Sequence, residues 1–368
     1  MPENIGDTPG SMPKEKPGAS PPLFISSSPH TGSSVDTRKL MGRVLIALTP
    51  VSIFGVVLYG MPALITIVSA IVAAELSEAL FRKLIRKDLR NGDLSAAVTG
   101  LLLALIMPPA TPWWITAMGA AFAIIVAKEF FGGLGANVFN PALVGRAFLL
   151  LSFPVAATNW SIPRAFFPSD LAGTDALSGA TGFLADAISG ATPLGILKMG
   201  GSIADVGTGL MALGLAQGSD YWSQIWSLFL GIRGGCIGES SILLILVGFL
   251  YLLFTRTVDW RAPVSMCFSV FLFSFLFGKD PLFAVLAGGV VFGAVFMATD
   301  YVSGPLSTSG KLIFGFGAGL ITVLIRQFGN YPEGVMYGIL IMNAVTPFLN
   351  RMIQKKYGHI KAAKVGGK

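Results

Sequence analysis

A chain of 368 residues that is 53% hydrophobic and only 12% charged, with a mean hydropathy of +0.71, carries about half the charged fraction of a soluble domain. It reads as an all-α polytopic membrane protein. The formal charge of +7 would suit a nucleic-acid partner, but the basic residues cluster between apolar runs, as orientation signals do, so no nucleic acid is expected. Cys236 and Cys267 lie in separate apolar contexts and cannot supply the four thiolates of an iron–sulfur cluster. His30 and His359 sit near the ends and form no histidine metal or haem site, so neither metal ligands nor catalytic residues are assigned.

Residues 1–38 are rich in Pro, Gly and Ser and contain no apolar run, which predicts a disordered cytoplasmic arm rather than a signal peptide. Crossing the hydrocarbon takes a helix of about 20 apolar residues. Ten candidate spans follow, at 41–60, 62–81, 94–108, 112–130, 140–156, 225–254, 262–278, 281–299, 311–327 and 334–351. The third is short and ends at Pro108-Pro109. The sixth is interrupted by Arg233-Gly234-Gly235, as a half-helix followed by a full span would be.

Lys and Arg set the orientation. With the N-terminus inside, 20 of the 26 basic residues fall on the cytoplasmic side and four (Arg164, Lys198, Lys279, Arg326) on the outer side, while Arg146 and Arg233 fall within broken spans. Both ends are thus expected inside, the last being a basic tail over 352–368. The polar segment 157–224 lies outside, between a first membrane half (39–156) and a second (225–351). Five spans per half, an odd number, would make the halves inverted repeats with a site between them.

Two helix breaks support that reading. Stretch 131–148 (FGGLGANVFNPALVGRAF) and stretch 296–306 (FMATDYVSGPL) each place Gly and Asn or Asp, then a proline, at a membrane-helix end. Irregular backbone survives there only where protein or a cavity satisfies it. Asn137, Asn140 and Arg146 put polar groups at membrane depth, where such residues are functional candidates by default. Arg233 and Glu239, in Gly231-Ile232-Arg233-Gly234-Gly235-Cys236-Ile237-Gly238-Glu239-Ser240, are read as a structural ion pair, with a flavin-phosphate or ion-path role as the alternative. In the outer segment, Asp186-Ala187-Ile188-Ser189-Gly190-Ala191-Thr192-Pro193-Leu194 is echoed eleven residues earlier by Asp175-Ala176-Leu177-Ser178-Gly179-Ala180-Thr181. By residue type alone these are exposed turns, and both threonines offer an accessible hydroxyl.

Together with Leu324-Ile325-Arg326, Tyr331-Pro332-Glu333-Gly334 and Met342-Asn343-Ala344-Val345-Thr346-Pro347, these motifs resemble the RnfD/NqrB family over residues 24–351, and the RnfD side of it more closely. Tyr301 departs from the proline the family carries after the Asp300 position. The resemblance implies a fold similar to that of urea transporters, in the bacterial inner membrane. It also implies a flavin transferase that joins the phosphate of FMN to Thr192, within the motif Asp186, Ser189, Gly190, Ala191. Thr192 is preferred to Thr181 because only it is followed by Pro-Leu. A second flavin, riboflavin, would be held without a covalent bond, with Asn137, Asn140 and Arg146 as candidate contacts. The implied activity is electron transfer between ferredoxin and NAD coupled to Na⁺ or H⁺ export. The implied partners are an outer FMN-bearing subunit, an iron–sulfur membrane pair and NAD- and ferredoxin-side subunits. An NqrB-like role ending on a quinone and a plain transporter or channel are the alternatives.

Overall fold

A computed structural model describes residues 36–86, 92–160, 193–198, 221–231, 234–329 and 333–353. The predicted N-terminal arm, the motif residues 175–192, Arg233 and most of the basic tail lie outside the described residues. Among the described residues the chain is helical and has no strand.

The helices are α1 (Thr37–Tyr59), α2 (Met61–Leu84), α3 (Ser95–Leu105), α4 (Trp113–Ile124), α5 (Pro141–Ser152), the short α6 (Pro154–Ala157), α7 (Pro193–Lys198) and α8 (Tyr221–Leu230). After them come α9 (Ile242–Phe254), α10 (Arg261–Leu276), α11 (Pro281–Leu286), α12 (Val290–Phe292), α13 (Thr308–Phe328) and α14 (Val335–Ile353). Three of these, α1, α2 and α13, are long and apolar enough to cross a membrane unaided. The other predicted spans hold shorter helices or are broken inside. Proline at the start of α5 and α11, glycine pairs, and π turns that end α4 (Ile125–Glu129) and α12 (Gly293–Met297) shorten them.

Polarity is arranged inside-out. Ile53, Val57, Leu76 and Leu80 are exposed on α1 and α2, whereas Thr66, Thr116, Ser269 and Thr322 are buried. With no hydrophobic drive between helices in lipid, close backbone approach and interhelical hydrogen bonds carry the packing. A methyl group added to Gly319 would fall 2.6 Å from the Met266 carbonyl, so α13 lies directly against α10. Ser265 and Ser269 donate across that contact to the carbonyls of Leu312 and Phe316, at 2.7 Å each. Gly100 on α3 and Gly145 on α5 approach the Ala70 and Gly119 carbonyls in the same way.

One polar cluster contains basic residues that the residue pattern assigns to the cytoplasmic side. Lys128 is only 1% exposed. Its Nζ lies 2.9 Å from Glu78 Oε2 and donates to Ser95 Oγ at 2.6 Å. Arg82, also buried, pairs with Glu78 at 3.1 Å and with Glu129 at 3.0 Å. The π turn shifts the helical phase after Ile124 and turns both Lys128 and Glu129 inward. Two acids and two bases pair directly here, and the cluster clamps α2 to the ends of α3 and α4.

Removing one partner from such a set leaves an uncompensated buried charge, which costs about 3–5 kcal/mol. Lys128→Met is therefore expected to lower the thermal stability of the detergent-solubilised protein sharply, and adding Glu78→Gln should recover part of the loss. Lys311→Met is the control. Its pair with Asp259 is about a third exposed, and its removal should cost less than about 1 kcal/mol.

Candidate functional site

Arg146 lies in the second turn of α5, and the start of that helix decides where it points. Asn140 caps it: its side-chain oxygen accepts from the amides of Ala142 and Leu143 at 3.1 and 3.4 Å, and Pro141 fills the first helical position. The Asn140 amide nitrogen reaches across to the Met297 carbonyl at 3.5 Å, in the second break. Asn137 is buried and donates to the Phe139 carbonyl at 3.1 Å, within its own loop. Gly132, Gly133 and Gly135 carry the chain through left-handed backbone, at φ 117°, 93° and 99°.

From this anchored start Arg146 enters a cavity of about 110 Å³ with Glu239, Glu333, Gly288, Gly289 and Trp160 on its wall. The guanidinium donates to Glu333 through a short hydrogen bond between Nη2 and Oε2. Glu239 comes from the short helical turn Ile237–Glu239, which is tied to α3: Ile237 N donates to the Met107 carbonyl at 3.3 Å and Cys236 Sγ to the Ile106 carbonyl at 2.9 Å. The ligand atoms of Cys236, Glu239 and Glu333 lie within 4.8 Å of one another. A metal ion could be held by such a trio, but Arg146 already supplies the positive charge among them.

The floor of the cavity is the break between α11 and α12. Gly288 and Gly289 both adopt left-handed backbone, at φ 68° and 67°. A Cβ on Gly289 would fall 2.9 Å from the carboxyl carbon of Glu239. Arg326 closes the end of α11, donating to the carbonyls of Ala284 (2.6 Å), Ala287 (3.0 Å) and Gly288 (3.2 Å).

Of the sequence-predicted site residues, Arg146 thus reaches the cavity. Asn137 and Asn140 are spent on backbone and do not line it. Thr192, Asp186, Ser189, Gly190 and Ala191 lie outside the described residues, but the helix that begins at the next residue, α7, does not. Its Leu194 packs over Gly288, and Lys198 Nζ donates to the Gly329 carbonyl through a short hydrogen bond. Sequence reasoning gave no role to Glu333, Arg326 or the Gly288–Gly289 pair. The one available signal was a charge beside small residues at the end of an apolar run.

A family model described as NQR2, RnfD, RnfE matches residues 24–358. The chain belongs to this family. It is 43% identical over 342 residues to the D subunit of a proton-translocating ferredoxin:NAD(+) oxidoreductase complex from Clostridium ljungdahlii, covering 91% of this chain and 96% of that protein. It is 39% identical over 345 residues to the D subunit of a Na(+)-translocating ferredoxin:NAD(+) oxidoreductase complex from Acetobacterium woodii (93% and 97%). Against the D subunit of an ion-translocating oxidoreductase complex from Stutzerimonas stutzeri the identity is 40% over 348 residues (89% and 93%). The resemblance read from the motifs is therefore borne out at family level.

The Arg146–Glu333 pair is testable by a cycle. Arg146→Met and Glu333→Gln should each destabilise the protein, the first by about 3 kcal/mol because it leaves carboxylates uncompensated. The double variant should lose less than the sum by about 0.5–3 kcal/mol, read from thermal unfolding in detergent.

Proposed function

We propose that the chain is the membrane-embedded D subunit of an ion-translocating ferredoxin:NAD oxidoreductase complex and carries electrons through FMN held on Thr192. The observation that carries this is the near full-length similarity to two proteins named as the D subunit of a ferredoxin:NAD(+) oxidoreductase complex and to a third named as the D subunit of an ion-translocating oxidoreductase complex. In this reading a flavin transferase forms a bond between Thr192 Oγ and the FMN phosphorus of FAD and breaks the anhydride, so that AMP leaves. Bound FMN supplies a ring that accepts and releases electrons. The chain's own residues position it. Leu194 and Lys198 hold the segment after Thr192 against the core, and Arg146, Glu239 and Glu333 keep charged groups in the cavity beneath. The wall combines aromatic Trp160 and Phe292 with bare backbone at Gly288 and Gly289, so a flat ring can lie against it, although about 110 Å³ is too little to enclose one. The same wall makes Arg146 the candidate contact for riboflavin. The partners are the outer FMN-bearing subunit, the iron–sulfur membrane pair and the NAD- and ferredoxin-side subunits.

Ten spans in two inverted halves, urea-transporter-like, remain part of the proposal. Pairing of like with like supports it. The second span of each half packs on the fourth (α2 on α4, α10 on α13), the fourth on the fifth (α4 on α5, α13 on α14), and α1 meets α9 between the halves. In that scheme the break at 287–289 answers the one after α3, whereas the breaks at 131–148 and 296–306 follow the fourth span of one half and the third of the other, so they are not the matched pair that the residue pattern suggests. Exposed Trp113, Trp114, Trp222 and Trp226 fall on ends assigned to the outer side and exposed Trp260 on one assigned to the inner side, as interfacial belts would, with both termini in the cytoplasm of a bacterium. Because the family model also covers NQR2, a quinone-ending role is the second reading.

The test is a denaturing gel of the chain expressed with its flavin transferase and viewed under ultraviolet light. Wild type and Thr181→Ala should show a fluorescent band that Thr192→Ala lacks. A dark wild-type band, with the transferase active on another substrate, would leave a non-redox transporter as the better reading.

A further inference from the structure

We propose that Gly288 is the seat, and α7 the anchor, that fixes the flavin-bearing segment to the membrane core, so that Leu194 and Gly288 are positioning residues for electron transfer. The inference rests on the reading that Thr192 carries FMN.

Four observations bear on it. First, α7 starts at Pro193, so its backbone is joined directly to residue 192. Second, α7 touches the core at two points, Leu194 over Gly288 and Lys198 on the Gly329 carbonyl, near its two ends. Third, the seat is shaped to receive a side chain. Gly288 is left-handed at φ 68°, and a Cβ there would overlap Leu194 Cδ1 and fall 2.7 Å from Arg326 Nη2. Fourth, the seat is rigid. Arg326 holds three carbonyls at the end of α11, one of them that of Gly288 itself. A glycine is needed here on two counts, backbone conformation and space, and the space is occupied by the residue two places after the modified threonine.

Gly288 also lines the cavity of Arg146, Glu239 and Glu333. An anchor at this point therefore sets where the flavin is presented relative to those charges. Attachment of FMN and its placement become separable, because the transferase acts on the threonine motif and the seat acts on the helix beyond it.

The experiment uses the full chain expressed with its flavin transferase and purified in detergent. Wild type is compared with Leu194→Ala, Gly288→Ala and the conservative Leu194→Met, and Thr192→Ala gives the background of non-covalent flavin. Covalent flavin is read from gel fluorescence, and its freedom from fluorescence anisotropy and quenching by iodide. The expected result is an undiminished fluorescent band in Leu194→Ala with lower anisotropy and a severalfold rise in quenching, and near wild-type values in Leu194→Met. Gly288→Ala should behave as Leu194→Ala does. Leu194→Ala changes only the anchor and keeps the test decisive should Gly288→Ala fail to fold against Arg326. Unchanged anisotropy and quenching in Leu194→Ala would overturn the proposal. So would loss of its fluorescent band, which would make the contact a requirement of attachment. A dark wild-type band would instead remove the Thr192 reading on which the proposal stands.

Discussion

Broken helices dominate this fold, and a broken helix in hydrocarbon must have its loose backbone groups satisfied by protein. Each unsatisfied carbonyl or amide there costs several kcal/mol. Here the partners come from far along the chain. The end of α3 is met by Cys236 and Ile237, about 130 residues later. The end of α11 is met by Arg326, and the second π turn by Asn140. Two of these three closures join residues before 157 to residues after 224. The breaks that weaken individual helices are therefore the contacts that tie distant parts of the chain together.

Much of this was legible from residue types. Asn140-Pro141 announced a helix start, and the structure places the asparagine as its cap. Arg146 at membrane depth announced a site, and it reaches a cavity. Other features were hidden for identifiable reasons. Lys128 follows a helix that is apolar on every side, so no stripe of polarity marked its direction, and the π turn then shifted the phase. Its partner Glu78 is 50 residues away. Glu333 meets Arg146 across 187 residues, beyond anything periodicity records. The Gly-rich stretch 131–136 has the composition of a packing face. Three of its glycines instead turn the chain through left-handed backbone, and Gly100, Gly145 and Gly319 do the close packing.

The two buried charge clusters differ in kind. Glu78, Arg82, Lys128 and Glu129 balance two against two and lie packed among helix ends, which suits a clamp. Around Arg146 two carboxylates, Glu239 and Glu333, face the guanidinium beside open volume, with Arg326 held at the Gly288 carbonyl of the same wall.

A short run of chain links the seat of α7 to the second break. Arg326 fixes the carbonyls through Gly288, and the short α12 runs from there into the π turn 293–297, whose last carbonyl is held by Asn140. Ten residues thus span the distance between a contact of α7 and the cap of the helix that bears Arg146. Such continuity fixes relative position. It does not by itself make a switch, because a switch needs two arrangements of comparable energy and an event that favours one of them. What the continuity does establish is a short path: the turn Val290–Phe292 and the π turn Gly293–Met297 are all that lie between Gly289 and the carbonyl that Asn140 meets. Gly288 and Asn140 are therefore parts of one frame, although neither contacts the other.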